Sequence, residues 1–185
     1  MGVILGGLGS GSSGGDMARI AEVLVGVGGQ ASISFSSISS AYRHLEVFWA
    51  GRCDNAAPQT LQVQFNGDGG ANYDREYTQY NDGIATFSGA VAQVSIPIGR
   101  VPGTGAPAGA MASGKMEIPY YATATQDKVI LNNQFGADGA AAGDMFLNTP
   151  GGAWRTSNAP ITSILFTLSL GNFIQNSIFS LYGIL

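Results

Sequence analysis

Four oxygen-bearing side chains crowd the segment Asn66-Gly-Asp-Gly-Gly-Ala-Asn-Tyr-Asp74, namely Asn66, Asp68, Asn72 and Asp74. Oxygen donors this close together could hold Ca²⁺, with Asp68 and Asp74 as its charged ligands, but the bidentate Glu and the spacing of an EF-hand loop are missing. Asn-Gly and Asp-Gly are also common tight-turn dipeptides, so a turn is the preferred reading and no metal or other cofactor is expected. Asp68, Asp74, Glu76 and Asp82 offer carboxylate pairs of the kind glycoside hydrolysis uses. A glycosidase would, however, carry acids on several strands, and here only Glu46 and Glu117 fall in the middle of expected strands. The single histidine, His44, leaves no triad to build, and it reads as a strand-entry residue. Gly9, Gly11 and Gly14 spell G-x-G-x-x-G, and Gly11, Ser13 and Gly15 spell G-x-S-x-G. Neither has the strand before it and the helix after it that a dinucleotide site or a nucleophile elbow requires. The chain is therefore expected not to be an enzyme.

The elements that would position such residues are short and numerous. Apolar and polar residues alternate with period two at Leu45, Val47 and Trp49, at Leu61, Val63 and Phe65, at Val94, Ile96 and Ile98, and at Met116, Ile118 and Tyr120. Ala21 to Val27 and Ile33 to Phe35 flank Gly28-Gly29-Gln30 as an expected hairpin. Further strands are expected at 128–135, at 144–147 paired with 153–155 across Thr149-Pro-Gly-Gly, at 162–169 and at 177–184. Residues 73–80 have the composition for one or two helical turns. About ten short strands with Gly, Pro and Asn between them predict an all-β, antiparallel β-sandwich or jelly-roll-like domain over 20–185. Residues 1–19 read as a flexible, Gly-rich N-terminal arm, in which Val3, Ile4, Leu5 and Leu8 form a sticky patch suited to a partner. The longest irregular stretch, Gly99 to Gly114, is expected to present Val101, Pro102 and Pro107 outward.

Composition narrows the functional classes. Of the 185 residues only 11% are charged, with 8 Lys or Arg against 12 Asp or Glu, a net charge of −4, and 28 are Gly. There is no basic cluster to bind nucleic acid or an anionic membrane, and the apolar runs are too short to span a bilayer. One cysteine, Cys53, permits no internal disulfide and reads as a small buried residue. The start MGVILGG lacks the basic region of a secretory signal, and the lone cysteine fits folding in a reducing cytoplasm. A surface polar through Ser, Thr, Asn and Gln can meet another subunit without the cost of burying ions.

The order of several segments is informative. Ile33-Ser-Phe-Ser-Ser-Ile38, Tyr42-Arg-His-Leu45, Leu61-Gln-Val-Gln-Phe-Asn-Gly-Asp68 with Asn72-Tyr73, Gly171-Asn-Phe173 and the ending Phe179-Ser-Leu-Tyr-Gly-Ile184 together resemble a group of tailed-bacteriophage virion β-sandwich proteins. The resemblance spans roughly residues 20 to 185 and rests on strand-core and turn positions, so it transfers no catalytic residue. It implies a virion part, made in the host bacterial cytoplasm and usually a homotrimer, of the capsid decoration (cement) or tail-associated, receptor-binding type. With so short an arm before the domain, a decoration protein on the major capsid protein is preferred. The alternative is a tail-associated or fibre-head protein binding host surface carbohydrate, with Tyr73, Tyr77, Tyr80 and Tyr121 available to stack on sugars.

Overall fold

The computed structural model describes residues 16–137, 145–155 and 159–185. It is an antiparallel β-sandwich, as expected, with no helix among the described residues. Twelve strands occur in the order β1 (Met17–Leu24), β2 (Ser32–Phe35), β3 (His44–Gly51), β4 (Gln59–Phe65), β5 (Tyr73–Asn81), β6 (Ile84–Gln93), β7 (Ile96–Val101), β8 (Ala112–Pro119), β9 (Lys128–Ala137), β10 (Met145–Trp154), β11 (Ile164–Leu168) and β12 (Ile178–Ile184). The large sheet runs β1-β12-β3-β8-β9-β10-β5-β6 and the small one β2-β11-β4-β7.

The alternating residues do what their period predicts in one half of the sandwich. Leu45, Val47 and Trp49 of β3, Met116 and Ile118 of β8, and Phe179 and Leu181 of β12 face Leu61, Val63 and Phe65 of β4 and Ile164 and Phe166 of β11, all buried. Phe179 joins the layers, with its ring centroid 5.1 Å from Phe166, 5.3 Å from Phe173 and 6.3 Å from Trp49. Such aromatic contacts add to the area term that dominates core stability.

Three local expectations are corrected. Residues 21–35 are not a hairpin: β1 pairs with β12 in the large sheet and β2 with β11 in the small one, so the chain crosses between layers at Gly28-Gly29. Residues 73–80 are extended in β5, because Tyr73, Arg75, Tyr77 and Gln79 must alternate onto one face opposite Trp154, Gly152, Pro150 and Asn148 of β10. Thr149-Pro-Gly-Gly is no turn but the middle of β10, which continues to Trp154. β6, an uncharged strand of ten residues, carries no clear alternation in the sequence and was not expected at all.

The small sheet has four strands and the large one eight, so part of the large sheet, from β9 to β6, is reached only by the edge strand β7 of the small one and forms an overhang that ends in the uncovered β6. On β9 the usual polarity of the faces is partly exchanged. On β9 the inward residues are Lys128, Ile130, Asn132 and Gln134, while Val129, Leu131 and Phe135 point out, 50%, 60% and 54% exposed. Buried polar groups need partners, and these amides find them on the edge strand β7. Asn132 Nδ2 donates to the Ile98 carbonyl at 2.6 Å, Gln134 Oε1 accepts from the Arg100 N–H at 2.8 Å, and Gln134 Nε2 donates to the Arg100 carbonyl. The amides cap backbone groups that an edge strand would otherwise leave unpaired.

Candidate functional site

The inward side of the overhang is a polar groove of about 370 Å³, within the range of small-ligand sites. β5 supplies Arg75, Tyr77 and Gln79 and β10 supplies Asn148 and Pro150, because every second residue of a strand shares a face. The opposite wall comes from Thr60 and Gln62 of β4 and from Gln93 and Ser95, where the chain leaves β6 for β7. A bulge between Tyr73 and Arg75, with Ala92 at φ 56°, turns this end of β6 and is held by the Ala92 N–H on Asp74 Oδ1 at 3.0 Å. Arg100 also lines the groove and lies over the Phe146 ring, 5.7 Å from its centroid.

Electrostatically the groove is set apart. The chain carries more acids than bases, yet two arginines and no carboxylate line this site. The Arg75 guanidinium lies over the Tyr77 ring at 5.3 Å, and its buried Nε has no hydrogen-bond partner. Asn148, 4% exposed, donates through Nδ2 to Gln134 Oε1 at 3.1 Å and leaves its buried Oδ1 unpartnered. Unsatisfied polar atoms are costly in a protein interior, and both of these residues face one cavity.

The residues singled out by type and spacing mostly have structural tasks. Asp68 accepts from Trp154 Nε1 at 2.7 Å, Asn72 Nδ2 at 2.9 Å and the Gly70 N–H at 2.8 Å. Asp74 is paired with Arg155 Nε at 2.8 Å and also receives the Ala92 N–H. Asp82, in the β5–β6 turn, accepts the N–H of Met145 at the start of β10. Glu46 and Glu117 stand opposite each other on the outer face, bridged by Lys115 at 3.3 and 2.6 Å, chiefly the Glu117 hydrogen bond holding the ammonium pKa up. His44 Nδ1 accepts the Tyr120 N–H, and Cys53 is buried, its thiol pushed up by burial.

The tyrosines part company: Tyr73 and Tyr121 are fully buried, Tyr77 lines the groove and Tyr80 is exposed on the outer face. Burial also pushes Tyr73 up to about 12, although its oxygen accepts the Phe65 N–H. The outward loop is corrected as well. Val101 ends β7 and is buried, as is Pro102, whose carbonyl accepts the Cys53 N–H, leaving only Pro107 exposed. Arg52 pins this loop from beneath by donating to the carbonyls of Ala106 and Pro107. Val3, Ile4, Leu5 and Leu8 lie outside the described residues.

The outer side of the overhang is the second candidate surface. One row of outward residues crosses all eight strands, Ala85–Tyr80–Leu147–Phe135–Ser113–Ala50–Ile178–Leu24, and contains no charge. Met145 and Leu131 widen its apolar part, and Phe87 of β6 is 73% exposed on the same face. Among the described edges β6 is the least protected, with only the bulge at its Ala92 end. β1 has a bulge and the Arg19–Glu22 ion pair, β2 has four residues, and β7 has Pro97 and the amide caps, whereas β6 offers ten uncharged residues.

Neither a known protein family nor a curated protein matches the chain. A solved structure that does match is the marine PL-14 alginate lyase from Aplysia kurodai, with 10% identity over 89% of this chain and 82% of that one, and a TM-score of 0.34. The matched protein is an enzyme, which corrects the expectation that this chain is not one, and that exclusion is withdrawn. At this TM-score the likeness carries no argument about reaction or substrate.

Proposed function

We propose that the chain is a structural subunit of a tailed-bacteriophage virion, namely a capsid decoration (cement) protein that sits on the major capsid protein as a homotrimer. The observation that carries this reading is the uncharged row of outward residues, with its large apolar members on the overhang, that ends at the edge strand β6. Exposed apolar surface of this kind marks protein interfaces, and a long, uncharged edge strand is a template for another chain. Full burial of one large apolar side chain is worth about 1.5–3 kcal/mol. Half-exposed Phe135, Leu131, Met145, Leu147 and Tyr80 would together supply several kcal/mol to a contact. The virion setting comes from the resemblance of the strand and turn segments, and Val3, Ile4, Leu5 and Leu8 are proposed as a further clamp on the capsid. Contacts made only to the assembled shell would stabilise it by mass action.

The test is binding of the purified protein to expanded, DNA-free capsids compared with whole host cells. Capsid binding that weakens on deletion of residues 1–15 is the expected result, and cell binding without capsid affinity would refute the decoration role. The groove favours a second reading, a tail-associated protein that binds host surface carbohydrate.

A further inference from the structure

We propose that the groove between the overhang and β7 binds an acidic oligosaccharide, with the Arg75 guanidinium on a sugar carboxylate and the amides of Gln79, Gln93 and Asn148 on sugar hydroxyls. Three observations carry it. The first is charge: in a chain of net charge −4 the lining holds two arginines and no acid. The second is the pair of unsatisfied atoms. Arg75 makes a ring contact with Tyr77 but leaves a buried N–H unused, and Asn148 is nine-tenths buried with an unused acceptor. A carboxylate supplies what a guanidinium fork lacks, and a hydroxyl donates to the orphaned Asn148 Oδ1.

The third is shape and chemistry along the strand. Arg75, Tyr77 and Gln79 lie two residues apart on one face of β5, so the floor runs about 13 Å at antiparallel strand rise. Glutamine and asparagine amides, with Thr60 and Ser95 across from them, offer donors and acceptors together, as vicinal hydroxyls require. The site lacks the basic stripe and stacking platforms of a nucleic-acid groove, and it lacks the apolar pockets that seat peptide side chains.

The inference deepens the carbohydrate reading and rests on it for its biological setting. Titration calorimetry with oligomers of galacturonate, mannuronate, guluronate and hyaluronate provides the test, with methyl-esterified oligogalacturonate, neutral maltohexaose and inorganic phosphate as comparisons. At least one polyuronate should bind saturably. Arg75→Gln should weaken that binding about tenfold or more, a change of about 1.4 kcal/mol, while its melting temperature stays unchanged. Should Arg75→Gln fold poorly, Gln79→Ala and Arg75→Lys replace it, the first losing hydroxyl contacts and the second the guanidinium fork. The proposal is overturned if no polyuronate binds, if maltohexaose or phosphate binds as tightly as the uronates, or if a folded Arg75 variant keeps full affinity. Binding to host cells without binding to any polyuronate would also overturn it, while sparing the broader carbohydrate reading.

Discussion

Replacing Asp68 by alanine should destabilise the sandwich by about 3 kcal/mol, and the structure says where the loss arises. The carboxylate accepts from three donors, the Trp154 indole N–H at 2.7 Å, the Asn72 amide at 2.9 Å and the Gly70 N–H at 2.8 Å. Trp154 is only 4% exposed, so its N–H would stay buried and unpaired, at about 1–3 kcal/mol. The other two donors lie near solvent and can recover water, so their loss adds about 0.5 kcal/mol each. Against a typical domain stability of about 5–15 kcal/mol this is a large fraction. Urea unfolding followed by circular dichroism would measure it, repeated in a Trp154→Phe background where the indole N–H is gone. There the same Asp68→Ala change should cost only about 1 kcal/mol, the difference being the coupling energy. A loss under about 1 kcal/mol in the wild-type background, or equal losses in both, would refute the reasoning. Because Asp68 is occupied by protein donors, excess Ca²⁺ or chelator should leave the wild-type midpoint unmoved.

Three further outcomes are expected. Tyr73 has its pKa pushed up to about 12 by burial, so the folded state keeps a proton that the unfolded state loses near 10. Stability should therefore be intact below about pH 10 and fall as pH rises towards about 12, a slope that Tyr73→Phe should reduce in alkaline denaturation. An added methyl at Gly114 would sit 2.7 Å from the Trp49 ring and 2.8 Å from the Asn133 carbonyl oxygen, so Gly114→Ala should cost about 2 kcal/mol in the same urea assay. On the outer face, Phe135→Lys with Leu147→Lys should convert the proposed trimer to monomers in sedimentation velocity, with the melting temperature of the monomer little changed because both side chains are already substantially exposed. Trimers that survive the double change would exclude this face as the contact.

The half of the sandwich that obeys simple alternation was legible in the sequence. Leu45, Val47 and Trp49 of β3 and Leu61, Val63 and Phe65 of β4 are expected inward and are buried in the structure. The overhang was not legible, for a physical reason. Alternation tells which residues share a face but not which face is inside, and β9 places Asn132 and Gln134 inward against Val129, Leu131 and Phe135 outward. The signal was present in the regular spacing of Lys128, Asn132 and Gln134 on one side of that strand. Its meaning depends on the edge of β7, which those amides cap from far away in the sequence. β5 resisted for a related reason: Tyr-Asp-Arg-Glu-Tyr has no apolar stripe, since its inward side lines a polar groove. Thr149-Pro-Gly-Gly reads as a turn by residue type, yet it lies extended between β5 and β9, where the β9 ladder skips Thr149 and Pro150. Val101 and Pro102 were assigned to an outward loop because no local signal shows that Cys53 and Arg52 draw that loop onto the core.

Coverage of the uncharged outer row in a virion is tested most directly by counting copies of this chain in purified particles with quantitative mass spectrometry. The decoration role predicts a copy number comparable to that of the major capsid protein. Absence from the particles, or the low copy number of a tail component, would contradict it.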